Sequence, residues 1–89
     1  MATVRFTQNI QRHVGCPTRE AAGATVRDVL DGYFQENERA RGYVLDEMGA
    51  VRQHMVVFVD GEAVMDRQGL SDPVKPDSVI DVIQSLAGG

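Results

Sequence analysis

The sequence predicts an α+β fold: a mixed sheet of four to five strands with one main helix packed on one face. Three observations predict it. Residues alternate apolar and polar at the N-terminus, a single strongly amphipathic helical stretch follows residue 25, and two apolar runs at 55–59 and 79–83 are each bounded by turn signals.

Val4 and Phe6 alternate with Thr3, Arg5 and Thr7, the period of a strand with one face buried and one wet. Gly15, Pro17 and Gly23 punctuate the next stretch, leaving Thr18 to Ala22 as a short return strand. From Thr25 the period changes. Val26, Val29, Leu30, Tyr33 and Phe34 fall on one helical face, and Thr25 with Asp28 forms a T-x-x-D capping pair at the positive helix end. Gly32 costs this helix about 1 kcal/mol relative to alanine, and Gly42, after the charge cluster from Glu36 to Arg41, is the predicted stop. Residues 42–54 carry Val44, Leu45 and Met48 without a sustained period and read as an ordered excursion. Met55-Val56-Val57-Phe58-Val59 closes in Asp60-Gly61, a buried strand entering a hairpin turn, with Glu62 to Met65 as its short partner. Pro73, Pro76 and Asp77 make another turn before Val79-Ile80-Asp81-Val82-Ile83, the final strand.

A hairpin, a helix and then two or three strands require the helix to cross over between the first and last strands. Those strands become parallel neighbours through a right-handed connection. This is the β-grasp layout, assigned to residues 1–84, with 85–89 as a flexible C-terminal tail ending in Gly-Gly.

Composition narrows the function classes. A chain of 89 residues supports one domain, and 43% apolar with 25% charged residues fits an ordinary globular protein. No apolar run approaches the roughly 20 residues of a membrane span, and the N-terminus lacks the basic-then-apolar order of a signal peptide. A cytoplasmic protein without a membrane partner is expected. The single Cys16 excludes an internal disulfide and a four-cysteine cluster. A net charge of −4 argues against nucleic acid as a partner and slightly favours encounter with a basic protein face.

Four blocks carry a resemblance: Thr3-Val4-Arg5-Phe6, Ala24-Thr25-Val26-Arg27-Asp28-Val29-Leu30, Val57-Phe58-Val59-Asp60-Gly61-Glu62, and Leu86-Ala87-Gly88-Gly89. Together they resemble the ThiS/MoaD family of prokaryotic ubiquitin-like sulfur carriers over nearly the whole chain. Val44-Leu45-Asp46-Glu47-Met48-Gly49, followed by Arg52-Gln53-His54, is most similar to the longer members, the molybdopterin-synthase-small-subunit-like and cysteine-biosynthesis carriers. Gln84 stands where many relatives carry a proline, and residues 9–23 match poorly.

The resemblance implies that the chain is a carrier and not an enzyme. Its Gly89 carboxylate would be adenylated by an ATP-dependent activating enzyme and converted to a thiocarboxylate. That group would give sulfur to an acceptor synthase, in cysteine or molybdopterin synthesis ahead of thiamine. Gly88 would give clearance, while Ala87 and Leu86 would thread the tail into the partner's cleft. Two glycines suit a narrow channel because they have no Cβ, although by themselves they arise by chance about 0.5 per cent of the time. ATP and magnesium would belong to the activating partner, since no G-x-x-x-x-G-K-[ST] loop is present and no cofactor is expected on this chain. The alternatives are a ubiquitin-like modifier joined through Gly89 to lysines of targets, or a plain β-grasp interaction module. With Lys75 as the only lysine, chains of the protein on itself could grow through that residue alone.

If Met55, Val57 and Val59 point inward, Val56 and Phe58 lie on the opposite sheet face, joined by Ile83. These three form the predicted partner-binding patch; the alternative is that residues 42–54 cover them. Cys16 reads as a structural turn cysteine. His13 and Cys16 have the spacing of two metal ligands, but with only His54 left as a soft ligand the four of a closed zinc site are not reached, and no metal is expected. No pair of carboxylates, Ser-His-Asp set or Cys-His arrangement suggests a catalytic site.

Overall fold

In the computed structural model, which describes residues 1–85, the first strand β1 (Ala2–Phe6) is flanked by strands on both sides. Ala2, Val4 and Phe6 are buried and Thr3 and Arg5 are not, as the alternation requires. On one side β1 pairs antiparallel with β2 (Arg19–Ala21). On the other it runs parallel to β5 (Val79–Gln84), with Val4 opposite Ile80 and Phe6 opposite Val82. β5 pairs antiparallel with β3 (Met55–Val59), which carries the edge strand β4 (Glu62–Ala63). The five strands take the order β2-β1-β5-β3-β4, so the first and last strands are the parallel neighbours of a β-grasp sheet.

The main helix, α2 (Val26–Glu36), buries all five residues of its predicted face. Thr25 Oγ1 accepts from the Asp28 amide at 3.2 Å, a cap worth about 1 kcal/mol. Gly23 is required by close approach. A Cβ there would lie 2.7 Å from that of Asp28 and 2.8 Å from the Val29 nitrogen.

Two local expectations are corrected, and one further element was not foreseen. The helix ends at Glu36 and not at Gly42, because Asn37 leaves helical geometry (φ −140°, ψ 62°) and its side-chain amide donates to the Tyr33 carbonyl at 3.1 Å. A second helix, α3 (Glu38–Val44), then runs straight through Gly42, where a Cβ would meet open space. The break re-aims the chain so that Ala40 and Val44 reach the core while Glu38, Arg39 and Arg41 stay exposed. The region between the first two strands holds a single helical turn, α1 (Gln8–Gln11), whose only buried residue is Ile10. One buried residue makes no periodicity. Finally, the partner of β3 stops at Ala63, since the Met65 amide turns away to the Asp72 carboxylate at 2.8 Å.

Asp60 and Gly61 both have positive φ, 50° and 87°, the left-handed pair that a two-residue hairpin of this twist demands. Residues 42–54 are ordered by side chains reaching backbone. The Arg27 guanidinium, from the first turn of α2, donates to the carbonyls of Gly49 (2.7 Å), Gln68 (3.0 Å) and Gly69 (3.2 Å). The Asp46 carboxylate receives the amides of Met48 and Ala50. So fixed, Val44, Leu45, Val51 and Leu70 join Ile10, Val26, Leu30, Val57, Ile80 and Val82 in one core between the helices and the sheet.

Candidate functional site

The residues assigned to the chemistry, Gly89, Gly88, Ala87 and Leu86, lie outside the described residues. The described residues that precede them in sequence are Gln84 and Ser85, at the C-terminal end of β5. On the β1 side the ladder ends with Phe6 opposite Val82, and the Thr7 amide donates to the Val82 carbonyl at 3.2 Å as the chain turns off into α1. On the β3 side pairing continues. Met55 lies opposite Gln84, and the Ser85 amide donates to the His54 carbonyl at 2.7 Å.

Gln84 follows Ile80 and Val82 in the inward-facing series of β5, and those two are fully buried. A half-buried amide at the end of an apolar series needs a polar partner. Asn9 of α1 supplies it, its Nδ2 donating to Gln84 Oε1 at 3.2 Å. Sequence reasoning missed Asn9 because it lies 75 positions away. The alternation 80, 82, 84 was the signal that Gln84 faces inward and must be satisfied.

The other end of β5 is held by a denser arrangement. Ser78, only 2% exposed, donates through Oγ to Asp60 Oδ2 at 2.8 Å and accepts from the Lys75 amide at 2.8 Å. Asp60 Oδ1 accepts from the Val79 amide at 2.9 Å, and the Asp60 amide donates to the Val79 carbonyl at 2.9 Å. Hydrogen bonds from the Val79 amide and then the Ser78 hydroxyl hold the Asp60 carboxyl below its ordinary value.

Val56, Phe58 and Ile83 are brought together on the sheet face opposite the helices. Val56 is cross-strand from Ile83, and Phe58 lies between Asp81 and Ala63. All three are half-buried. They share the face with a bidentate ion pair in which Arg5 Nε and Nη2 donate to the two Asp81 oxygens at 2.8 and 3.0 Å. Residues 42–54 serve the other side of the sheet, since Val44, Leu45 and Val51 enter the core with Val57 and Val82.

Cys16 is 3% exposed, and burial pushes its thiol up, away from the thiolate a nucleophile needs. Tyr33 Oη donates to the Pro17 carbonyl at 2.6 Å and is pushed up to about 12, chiefly by burial, so it remains a proton donor fastening the loop before β2 to α2. The His13 ring stacks on Tyr43 at 5.9 Å. Among the described residues no three His, Cys, Asp or Glu side chains gather as a metal site, and no helix is long and apolar enough to cross a membrane.

The ThiS family model matches residues 4–89. Among solved structures, a chain of the Amycolatopsis orientalis BexX/CysO complex is 26% identical, with a TM-score of 0.82 and coverage of 100% of both chains. Mycobacterium tuberculosis CysO superposes with a TM-score of 0.80 at 17% identity, covering 97% of this chain and 100% of the other. SAMP1 from Haloferax volcanii does so at 0.77 and 20% identity, covering 99% and 98%. The last two likenesses speak for the fold alone. No curated protein matches the chain.

Proposed function

The chain belongs to the ThiS family of ubiquitin-like sulfur carriers, and from that premise we propose that its working group is the carboxylate of Gly89, as a C-terminus. A carboxylate is a poor electrophile. An activating enzyme joins it to the α-phosphate of ATP with release of pyrophosphate, using its own magnesium, and the resulting acyl-adenylate is open to attack. A sulfide-level donor then adds at the acyl carbon, AMP leaves with the bonding pair, and a thiocarboxylate remains. That sulfur attacks the acceptor held by a synthase, and water then cleaves the acyl–sulfur bond, leaving the sulfur on the acceptor and the chain as carboxylate. The chain is a cosubstrate in this cycle, working in the cytoplasm, and needs no catalytic residue of its own.

The observation that carries the reading is the reach of the family match, which runs from Val4 through both terminal glycines. The full-length likeness to a chain of the BexX/CysO complex supports a protein partner that docks on this fold; the acceptor we propose is a cysteine- or molybdopterin-forming synthase ahead of a thiamine-forming one. Leu86 and Ala87 thread the tail, Gly88 gives backbone clearance, and Val56, Phe58 and Ile83 meet the partner on the open sheet face.

The test is the intact mass of the chain after incubation with ATP, magnesium, the activating enzyme of its own host and a sulfide donor. A gain equal to one oxygen exchanged for one sulfur, located on the C-terminal peptide, is expected. Gly89 found instead in isopeptide linkage to target lysines would replace the carrier with a modifier. Full function after deletion of Gly88 and Gly89 would leave only an interaction module.

A further inference from the structure

We infer that Asn9 is a positioning residue: it holds the root of the sulfur-bearing tail in the sheet through Gln84, and so fixes where the terminus is presented to the activating enzyme. The inference rests on the carrier reading for its functional consequence, but its geometry stands by itself. β5 is a central strand with a neighbour on each side until Val82, where β1 ends and leaves for α1. Beyond that point only β3 continues, opposite Gln84 and, through the His54 carbonyl, opposite Ser85. A strand end paired on one side frays readily. The Asn9 amide bonds the Gln84 side chain at 3.2 Å, in a partly buried position where the bond is shielded from water.

The consequence is a matter of reach. Four residues, 86–89, follow the held root, and four residues span at most about 14 Å. With Gln84 and Ser85 already kept in the strand, those two residues need no ordering when the partner takes up the chain. With the root freed, two further residues must be ordered during docking, and that cost falls on formation of the complex. The reaction at Gly89 inside the partner is untouched. Loss of the bond therefore raises KM for the carrier and leaves kcat as it was, the pattern of an interaction made before and not during chemistry.

The experiment uses the full chain in two measurements. The first is amide hydrogen exchange at Ser85 in the wild type and in Asn9→Ala. Exchange faster by about three- to tenfold at Ser85, with the other strand amides unchanged, is expected. The second is steady-state adenylation by the activating enzyme of the host, where Asn9→Ala raises KM by roughly three- to tenfold with kcat unchanged. The exchanged pair, Asn9→Gln with Gln84→Asn, keeps the combined length of the two amides and restores both readouts. Equal Ser85 exchange in wild type and Asn9→Ala overturns the inference whatever the kinetics show. So does faster exchange across every strand, which would make Asn9 a general stabiliser. Faster Ser85 exchange with an unchanged KM overturns the positioning role. A wild-type chain that is not adenylated at all overturns the carrier reading and leaves the held root to be judged on exchange alone.

Discussion

At its start β5 is locked by a carboxylate, a buried hydroxyl and backbone on both strands, all converging on Ser78 and Val79. At its far end, among the described residues, Gln84 has a side-chain amide partner in Asn9 and the Ser85 amide bonds the His54 carbonyl. The two ends also treat buried hydroxyls differently. Ser78 Oγ both donates and accepts, whereas Thr7 Oγ1, beside Val82, is buried with no partner among the described residues. The difference shows a strand built as a rigid anchor at one end and a lightly tethered arm at the other. Stability is concentrated where no chemistry is proposed.

That contrast can be broken most severely in the middle of the strand. Ile80→Ala removes a fully buried side chain that packs between Val4 and Val59, and it is expected to lose about 2–5 kcal/mol in urea unfolding. Ser78→Ala leaves the Lys75 amide and the Asp60 carboxylate short of a partner, with an expected loss of about 1–3 kcal/mol by the same measurement.

The anchor also carries a pH signature. Because the folded Asp60 carboxyl titrates below its ordinary value of 3.8, its contribution is present in full above that value and is lost as pH falls through the lowered one. Asp60→Asn, which tolerates the positive φ, should flatten this acid limb. Parallel decline of wild type and variant in urea midpoints measured below pH 3.8 would contradict the assignment.

At the arm the expected effects shrink. Thr7→Val removes an unsatisfied hydroxyl at nearly constant shape and should leave stability unchanged or raise it by up to about 1 kcal/mol. Gln84→Ala should shift the thermal midpoint least, by less than about 0.5 kcal/mol in stability. A larger loss there would mean that both ends of β5 are anchors and that the contrast is false.

Much of the sheet and its helix was legible because each element repeats its reason locally. Val26, Val29, Leu30, Tyr33 and Phe34 state one helical face five times, and Asp60-Gly61 states a left-handed turn twice. Where the reason is single or distant, reading failed. One buried residue, Ile10, cannot declare α1, and Asn37 breaks a helix without being glycine or proline. The loops around Asp46 and Asp66 have no period because carboxylates bonding nearby amides, and Arg27 bonding three carbonyls, do the work that periodic burial does elsewhere. For the site, the sheet register placed Val56, Phe58 and Ile83 on one face as the alternation predicted. The root held by Asn9 and His54 was invisible, since both partners come from parts of the chain remote from Gln84 and Ser85.

The central position of β5 has a consequence for how the protein is made. Without residues 79–84 the sheet falls into two separate hairpins, β1–β2 and β3–β4, because among the described residues β5 is the strand that joins them. Two-stranded hairpins are marginal in water, and the contacts that unite them span nearly the whole sequence. A nascent chain is therefore unable to close its core until β5 has left the ribosome. Closure of the core is thereby tied to synthesis through residue 84: a chain with β5 still inside the ribosome holds the pieces of a sheet and no strand to join them.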